Sequence, residues 1–314
     1  MYESVLNRVL AAYSIVPVEI HCYQKGYRNE IWPVLTRDGR MINVTFYKRE
    51  PGIVERINRA DAVSEYLADA GMPTRRRIDS RVLQLKGRTL TYVAVYTYLP
   101  GLTIPWEAYT MRHIKLLGKT MSDMHVFLQD MPMDNLPSVY DEYLAIIDRM
   151  EHYFASDDVK RAVAGKLHVT LKVSFDDYRQ LLHTCEALPQ QPLHMDFVRG
   201  NILFEGENIS GILDFEKTAR GNTVVDIART LAFLLVDCKY KTEDKVRKYF
   251  LQSGYAKRGA RDDIGDDFTR ERLVELFLLY DFYKFLRHNP YESLAANEHY
   301  TRTRDILVNR GVIL

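Results

Sequence analysis

Apolar and polar positions alternate along much of the first hundred residues, then apolar positions recur at helical spacing for most of the remainder. Val5, Leu6, Val9 and Leu10 form one face of a short helix over residues 2–12. Two strands follow, Tyr23 to Val34 and Arg40 to Lys48, with Asp38-Gly39 as the turn between them. Ile57, Val63 and Leu67 mark a helix from Val54 to Ala70, stopped at Gly71 with Pro73 beyond it. Arg81 to Leu85 and Thr89 to Tyr98 read as a second strand pair joined at Gly87, and Leu99-Pro100-Gly101 breaks the pattern. Past that break, Ile114, Leu117, Met121 and Met124 share a helix face. Further helices are expected over Tyr140 to Ala155, Ser174 to Ala187, Asp226 to Val236 and Thr269 to Leu286. The exception is a hairpin: Ile202-Leu203-Phe204 and Ile209 to Leu213 flank Glu205-Gly206-Glu207-Asn208 and deliver Asp214 at the end. The pattern predicts an α+β fold in two lobes, strand-rich over residues 1–98 and mainly helical over 99–314.

Composition narrows this little. The 314 residues are 46% hydrophobic and 27% charged, ordinary globular values that argue against disorder. A net charge of +1 gives no reason to expect nucleic acid or a membrane surface as partner. Cys22, Cys185 and Cys238 are far apart and in no metal-ligand spacing, as expected of free thiols in a reducing cytoplasm. No window approaches the ~18 uninterrupted apolar residues of a membrane helix, and no basic start followed by an apolar run marks a signal peptide.

The chemistry concentrates in His194-Met195-Asp196-Phe197-Val198-Arg199-Gly200-Asn201 and in Asp214-Phe215-Glu216. An Asp, an Asn five residues on, and a second Asp across a hairpin make up the base-and-metal set of phosphoryl transfer on the protein-kinase plan. The order resembles the aminoglycoside phosphotransferase and choline kinase-like family, small-molecule kinases with a bilobal protein-kinase-like fold. The likeness is strongest from Leu193 to Ala228, where His194-Met195-Asp196, Asn201, Asp214 and Asp226-Ile227-Ala228 follow the family pattern.

That resemblance implies roles residue by residue. Asp196 would be the catalytic base, and Asn201 and Asp214 the magnesium ligands. ATP or GTP would be the phosphoryl donor. Gly26 and Asn29 would lie in the nucleotide loop, and the segment from Tyr96 to Leu99, including Tyr98, would be the adenine hinge. His194 would order the loop, and Asp226 would cap the next helix or brace the catalytic loop. Two departures stand out: Met195 replaces the family's Gly, and Val198 lacks the Lys that protein kinases place two residues after the base, with Arg199 the nearest substitute. The phosphate-binding Lys and its acidic partner have two registers. One uses Lys48 and Asp61; the other puts Thr45 and Ala60 there and leaves the pair absent.

Asp226 follows Asp214 by only twelve residues, too few for the peptide platform of a protein kinase. A small acceptor is therefore expected: an aminoglycoside or aminosugar, a macrolide, an amino alcohol or a sugar-like hydroxyl. Asp262-Asp263-Ile264-Gly265-Asp266-Asp267, Glu275 and Asp281 are acidic candidates for facing an amine, though Asp281 also has Lys284 one turn away. An atypical protein kinase and a nucleotide-binding pseudokinase are the alternatives.

Overall fold

The computed structural model describes residues 2–22, 24–25, 29–85, 91–258 and 266–314. In chain order its main elements are α1 (Tyr2–Ala12), β1 (Pro17–Ile20), β2 (Gln24–Lys25), β3 (Asn29–Thr36), β4 (Met41–Tyr47), α2 (Ile53–Asp69), β5 (Leu83–Leu85), β6 (Thr91–Thr97), α3 (Met111–Leu128), α4 (Val139–Ala155), α5 (Asp157–Ala162), α6 (Phe175–Glu186), β7 (Gln191–Leu193), β8 (Ile202–Glu205), β9 (Asn208–Ile212), β10 (Ala219–Gly221), α7 (Thr223–Asp237), α8 (Glu243–Arg247), α9 (Asp267–His288), α10 (Tyr291–Leu294) and α11 (Glu298–Asn309). They form two units: Met1–Leu102 with Ile202–Glu216, and Thr103–Asn201 with Lys217–Leu314. The expected boundary at residue 98 thus lies a few residues later, and the hairpin β8–β9, expected with the helical lobe, belongs to the strand-rich unit.

In the strand-rich unit the sheet order is β1-β3-β4-β6-β5, with β2 alongside β3 and every pairing antiparallel. Both faces of the sheet are covered, and successive residues of a strand pack against opposite sides. Ile42, Val44, Val93 and Val95 pack with Leu6, Val9 and Leu10 of α1. Tyr47, Ala94 and Tyr96 pack on the opposite side with Ile53 and Ile57 of α2. The hairpin β8–β9 joins through a bridge from Leu102 to Phe204. Gly101 sits beneath it at φ +106°, where a Cβ would run into Ser210 and lie 2.7 Å from the Phe204 carbonyl oxygen. Only glycine fits that conformation and that approach. The turn expected at Gly87 lies outside the described residues.

The helical unit is organised around α7, which is buried on almost every side, as expected of a helix apolar all round. α9 packs along it. Asn222, rather than the expected Asp226, caps α7: its Oδ1 accepts the Val224 N–H at 3.0 Å. β7 and β10 form an antiparallel pair with Leu193 opposite Ala219. β1, α5, α8, α10 and α11 were not anticipated from the apolar pattern. Among the described residues no helix is long and apolar enough to cross a membrane.

Candidate functional site

Leu193 ends β7, and the chain turns at once into a buried loop. Asp226, fully buried on α7, accepts the backbone N–H groups of His194 at 2.8 Å and Met195 at 3.0 Å and meets His125 Nε2 at 3.2 Å. Burial opposes its charge, but the His125 and His194 contacts outweigh that and hold its carboxyl below the usual range. Asp226 is thus a brace of the loop and not a helix cap. His194 also works structurally, its Nδ1 accepting the Asp196 N–H at 3.2 Å. Met195 adopts φ +60°. This is the left-handed region that glycine enters freely and a bulky residue enters at a cost. The family's Gly therefore has a backbone reason, and this chain keeps the turn with a methionine held by the Asp226 carboxylate.

The turn presents Asp196, almost buried, with both carboxylate oxygens engaged. Asn201 Nδ2 donates to Asp196 Oδ2 at 3.2 Å and to the Asp196 carbonyl at 2.9 Å. The Asn201 amide nitrogen is thereby directed back at the loop, and its Oδ1 takes part in neither bond. Lys217 Nζ donates to Asp196 Oδ1 at 2.7 Å. Sequence reasoning missed Lys217. The antiparallel register of β7 and β10 explains its position. With Leu193 opposite Ala219, the residues just past β7 and just before β10 leave the same end of the ladder together. Arg199, the nearest cation to the position of the missing loop lysine, approaches Asp237, Nε to Oδ2, at 3.7 Å.

In the strand-rich unit Asp214 ends the hairpin at φ +60°, and its Oδ1 accepts the Glu216 N–H at 3.4 Å. Glu216 occupies the position of the Gly in the protein-kinase Asp-Phe-Gly. Burial and the neighbouring Asp214 charge raise its pKa, opposed by Asn29, Arg56 and Arg75. Asn29 Nδ2 donates to Glu216 Oε1 at 2.8 Å, and Arg56 Nε lies 3.5 Å from Oε2. The candidate Asn29 is therefore fixed to the segment that carries Asp214. Gly26 lies outside the described residues. Tyr98 follows β6 directly and is exposed.

Asp61 has partners other than the expected Lys48. Thr45 and Tyr47 of β4 are buried, and Tyr47 packs on the face covered by α2. Lys48 comes one residue past the strand's end and is exposed. Asp61, buried on α2, is held by arginines from the loop after the helix. Arg75 Nη2 lies 3.5 Å from Oδ1, Arg77 Nε donates to Oδ2 at 2.7 Å, and the Tyr96 hydroxyl donates at 3.0 Å. Arg75 also donates to the Tyr47 hydroxyl at 3.1 Å and stacks 3.9 Å over the Tyr96 ring. Burial disfavours its charge, yet the tyrosines and Asp61 more than compensate and its pKa rises. Burial likewise pushes the Tyr47 hydroxyl up to about 12. The basic run Arg75-Arg76-Arg77 was the sequence signal available, and helical and strand periodicity passed over it.

Among the acidic candidates toward the carboxy terminus, Asp266 caps α9 by accepting the Thr269 N–H at 2.8 Å, and Asp262 to Gly265 lie outside the described residues. Glu275 pairs with Arg272 at 2.6 Å. Asp281 takes two bonds from Arg229, at 2.9 and 3.1 Å, and pairs with Lys284 at 2.6 Å.

Comparison with known proteins gives the family and the fold. The sequence model of the phosphotransferase enzyme family (APH) matches residues 20–253. A homoserine kinase of Xanthobacter autotrophicus is 25% identical over 71% of this chain and 67% of its own length, and one of a Chelativorans species is 24% identical over 66% and 61%. The chain thus spans about three fifths to two thirds of the length of these two relatives. Among solved structures, an amicoumacin kinase in complex with AMP-PNP, Ca2+ and Ami superposes with TM-score 0.71 at 16% identity, covering 99% of this chain and 96% of that one. The aminoglycoside phosphotransferase APH(4)-Ia gives 0.64 at 16% identity over 98% and 99%. The macrolide 2'-phosphotransferase MphH from Brachybacterium faecium gives 0.58 at 15% identity over 95% and 96%. The fold is that of the kinase-like phosphotransferases.

Proposed function

The chain belongs to the phosphotransferase enzyme family, and from that premise we propose that it transfers the γ-phosphate of a nucleotide to a hydroxyl of a small molecule. The observation that carries this reading is the Asp196 loop: a nearly buried carboxylate oriented by Asn201 and Lys217, on a turn fixed by Asp226. Such a carboxylate is suited to accept the acceptor's hydroxyl proton as the oxygen attacks. Lys217 orients the base and places a positive charge where negative charge accumulates during transfer.

Asn201 Oδ1 in the helical unit and the Asp214 carboxylate in the strand-rich unit are each hard oxygen donors of the type magnesium prefers, so the chemistry of either residue fits that ion. When bound, magnesium would supply neutralisation of the donor's phosphate charge. Asn29 and Glu216 would steady the nucleotide end, and Tyr98 would lie in the hinge. The donor is ATP or GTP. The three cysteines are free thiols, which supports placement in the cytoplasm.

The test is incubation of the purified chain with magnesium, ATP or GTP, and a panel of aminoglycosides, macrolides, amino alcohols and hydroxy-amino acids, read by mass spectrometry. A mass gain of one phosphate on a small hydroxyl compound is expected. Phosphate appearing only on protein would favour the atypical protein kinase instead, and nucleotide binding with no transfer to any hydroxyl would favour the pseudokinase.

A further inference from the structure

Beside the Asp196 loop, within the helical unit, lies a cavity of about 430 Å³. Val198, Arg199 and Gly200 of that loop form one wall, and α7, α9 and α11 supply the others. A volume of this order suits a small ligand. Its charged groups fall into two sets. Asp281 is already held by Arg229 and Lys284 at hydrogen-bonding distance. Burial opposes its charge, but those two cations prevail and hold its carboxyl at about 2.

Asp237, at the end of α7, is different. It is 7% exposed and lines the same cavity, but its ion-pair contacts are loose: Arg199 Nε at 3.7 Å and His299 Nδ1 at 3.8 Å, both longer than a hydrogen bond. Burial raises its pKa, only partly offset by Arg199 and His299. Among the described residues no side chain donates to it at hydrogen-bond distance, and such a carboxylate gains most from a ligand that brings a donor.

The sign of the surroundings decides what kind of ligand that is. Arg199 and Lys284 line the cavity together with His288 and His299, and Arg229 backs Asp281. A polycation would meet Asp237 but face these cations as well. A ligand carrying one ammonium and one carboxylate replaces the loose Asp237–Arg199 contact with two close ones of matching sign. We infer that this cavity binds a zwitterionic hydroxyl acceptor of amino-acid size, with its ammonium on Asp237 and its carboxylate on Arg199, and that it selects against polycationic acceptors. This rests on the proposed phosphotransfer reading for the word acceptor, while the binding preference stands on the cavity alone.

The test is calorimetric titration of the full chain, without nucleotide, with L-homoserine, 4-hydroxybutyrate, 3-amino-1-propanol and kanamycin. L-Homoserine should bind about 10-fold or more tighter than either compound bearing one of its charges, and tighter than kanamycin. Asp237→Asn should weaken L-homoserine and 3-amino-1-propanol and leave 4-hydroxybutyrate unchanged. Arg199→Gln should weaken L-homoserine and 4-hydroxybutyrate and leave 3-amino-1-propanol unchanged.

Kanamycin binding more tightly, equal binding of all four compounds, or no binding of L-homoserine overturns the inference. The comparison of ligands on the unmodified chain decides the matter even where a variant fails to fold. Parallel turnover assays with magnesium and ATP separate the two claims. Transfer to kanamycin with no zwitterion preference sinks the inference and spares the phosphotransferase reading. Zwitterion binding without transfer to any acceptor spares the inference and sinks that reading.

Discussion

Two charged clusters, one in each unit, are assembled in different ways. Around Asp196 the partners are close in sequence: His194, Met195 and Asn201 lie within five residues, and Lys217 arrives through a single strand pairing. Around Asp61, on α2, they come from three separate places: Tyr47 from β4, Arg75 and Arg77 from the loop after the helix, and Tyr96 from β6. The first cluster is a local turn with a brace. The second exists only once the sheet and helix have formed, so it should respond to substitution as a folding element, whereas the first should respond as a chemical one.

The largest expected effect outside catalysis tests that contrast in the strand-rich unit. Asp61→Ala leaves Arg75 and Arg77 without their buried counter-charge and should cost about 3–5 kcal/mol of stability, the usual penalty for breaking a buried pair. Urea denaturation followed by circular dichroism measures it. A loss under about 1 kcal/mol would mean that the cluster is not a structural unit.

In the helical unit, Lys217→Met should leave stability within about 0.5 kcal/mol, since the lysine is half exposed. It should lower kcat by about 10- to 100-fold through loss of one charge-assisted hydrogen bond to the base. Steady-state kinetics beside a melting curve checks both. A stability loss with intact kcat would reverse the contrast.

Legibility followed the same division. The Asp196 loop was readable as a candidate because its residues sit at fixed offsets along one stretch of chain, and even the departure at Met195 marked a position whose φ is +60°. The apolar alternation of β4 and β6 gave the sheet. What could not be read depends on pairing partners. Lys217 meets Asp196 only because β7 and β10 align Leu193 with Ala219. Lys48 looked suitable by charge, but it lies past the end of β4 and is exposed, while Asp61 is buried among Arg75, Arg77 and Tyr96. Arg75 lies in an irregular loop, where no periodicity indicates which way a side chain points. Asp226 offered two readings at one helix start, and the tertiary contact to His194 and Met195 chose between them.

A smaller effect is set by pH. The Asp281 carboxyl, held at about 2 by Arg229 and Lys284 against the cost of burial, has a folded value below its unfolded one. Its contribution, of order 2 kcal/mol, is therefore fully present above pH ~4 and is lost as pH falls toward 2. Thermal melts of the unmodified chain and Asp281→Asn should differ most near neutrality and converge toward pH 2. A gap that stays constant with pH would remove the assignment. Smallest of all, Lys48→Ala should change stability by less than about 0.5 kcal/mol, as for an exposed strand-end side chain, and the nucleotide KM by less than about 2-fold. A larger rise in KM would return Lys48 to the nucleotide site.

The most direct measurement is Asp196→Asn, with single-turnover phosphoryl transfer and nucleotide binding determined on the same preparation. If Asp196 takes the acceptor's proton, transfer falls by about 10²- to 10⁴-fold while the nucleotide Kd stays within about 2-fold and the melting curve is retained. Transfer at the unmodified rate would contradict the assignment of Asp196 as the base.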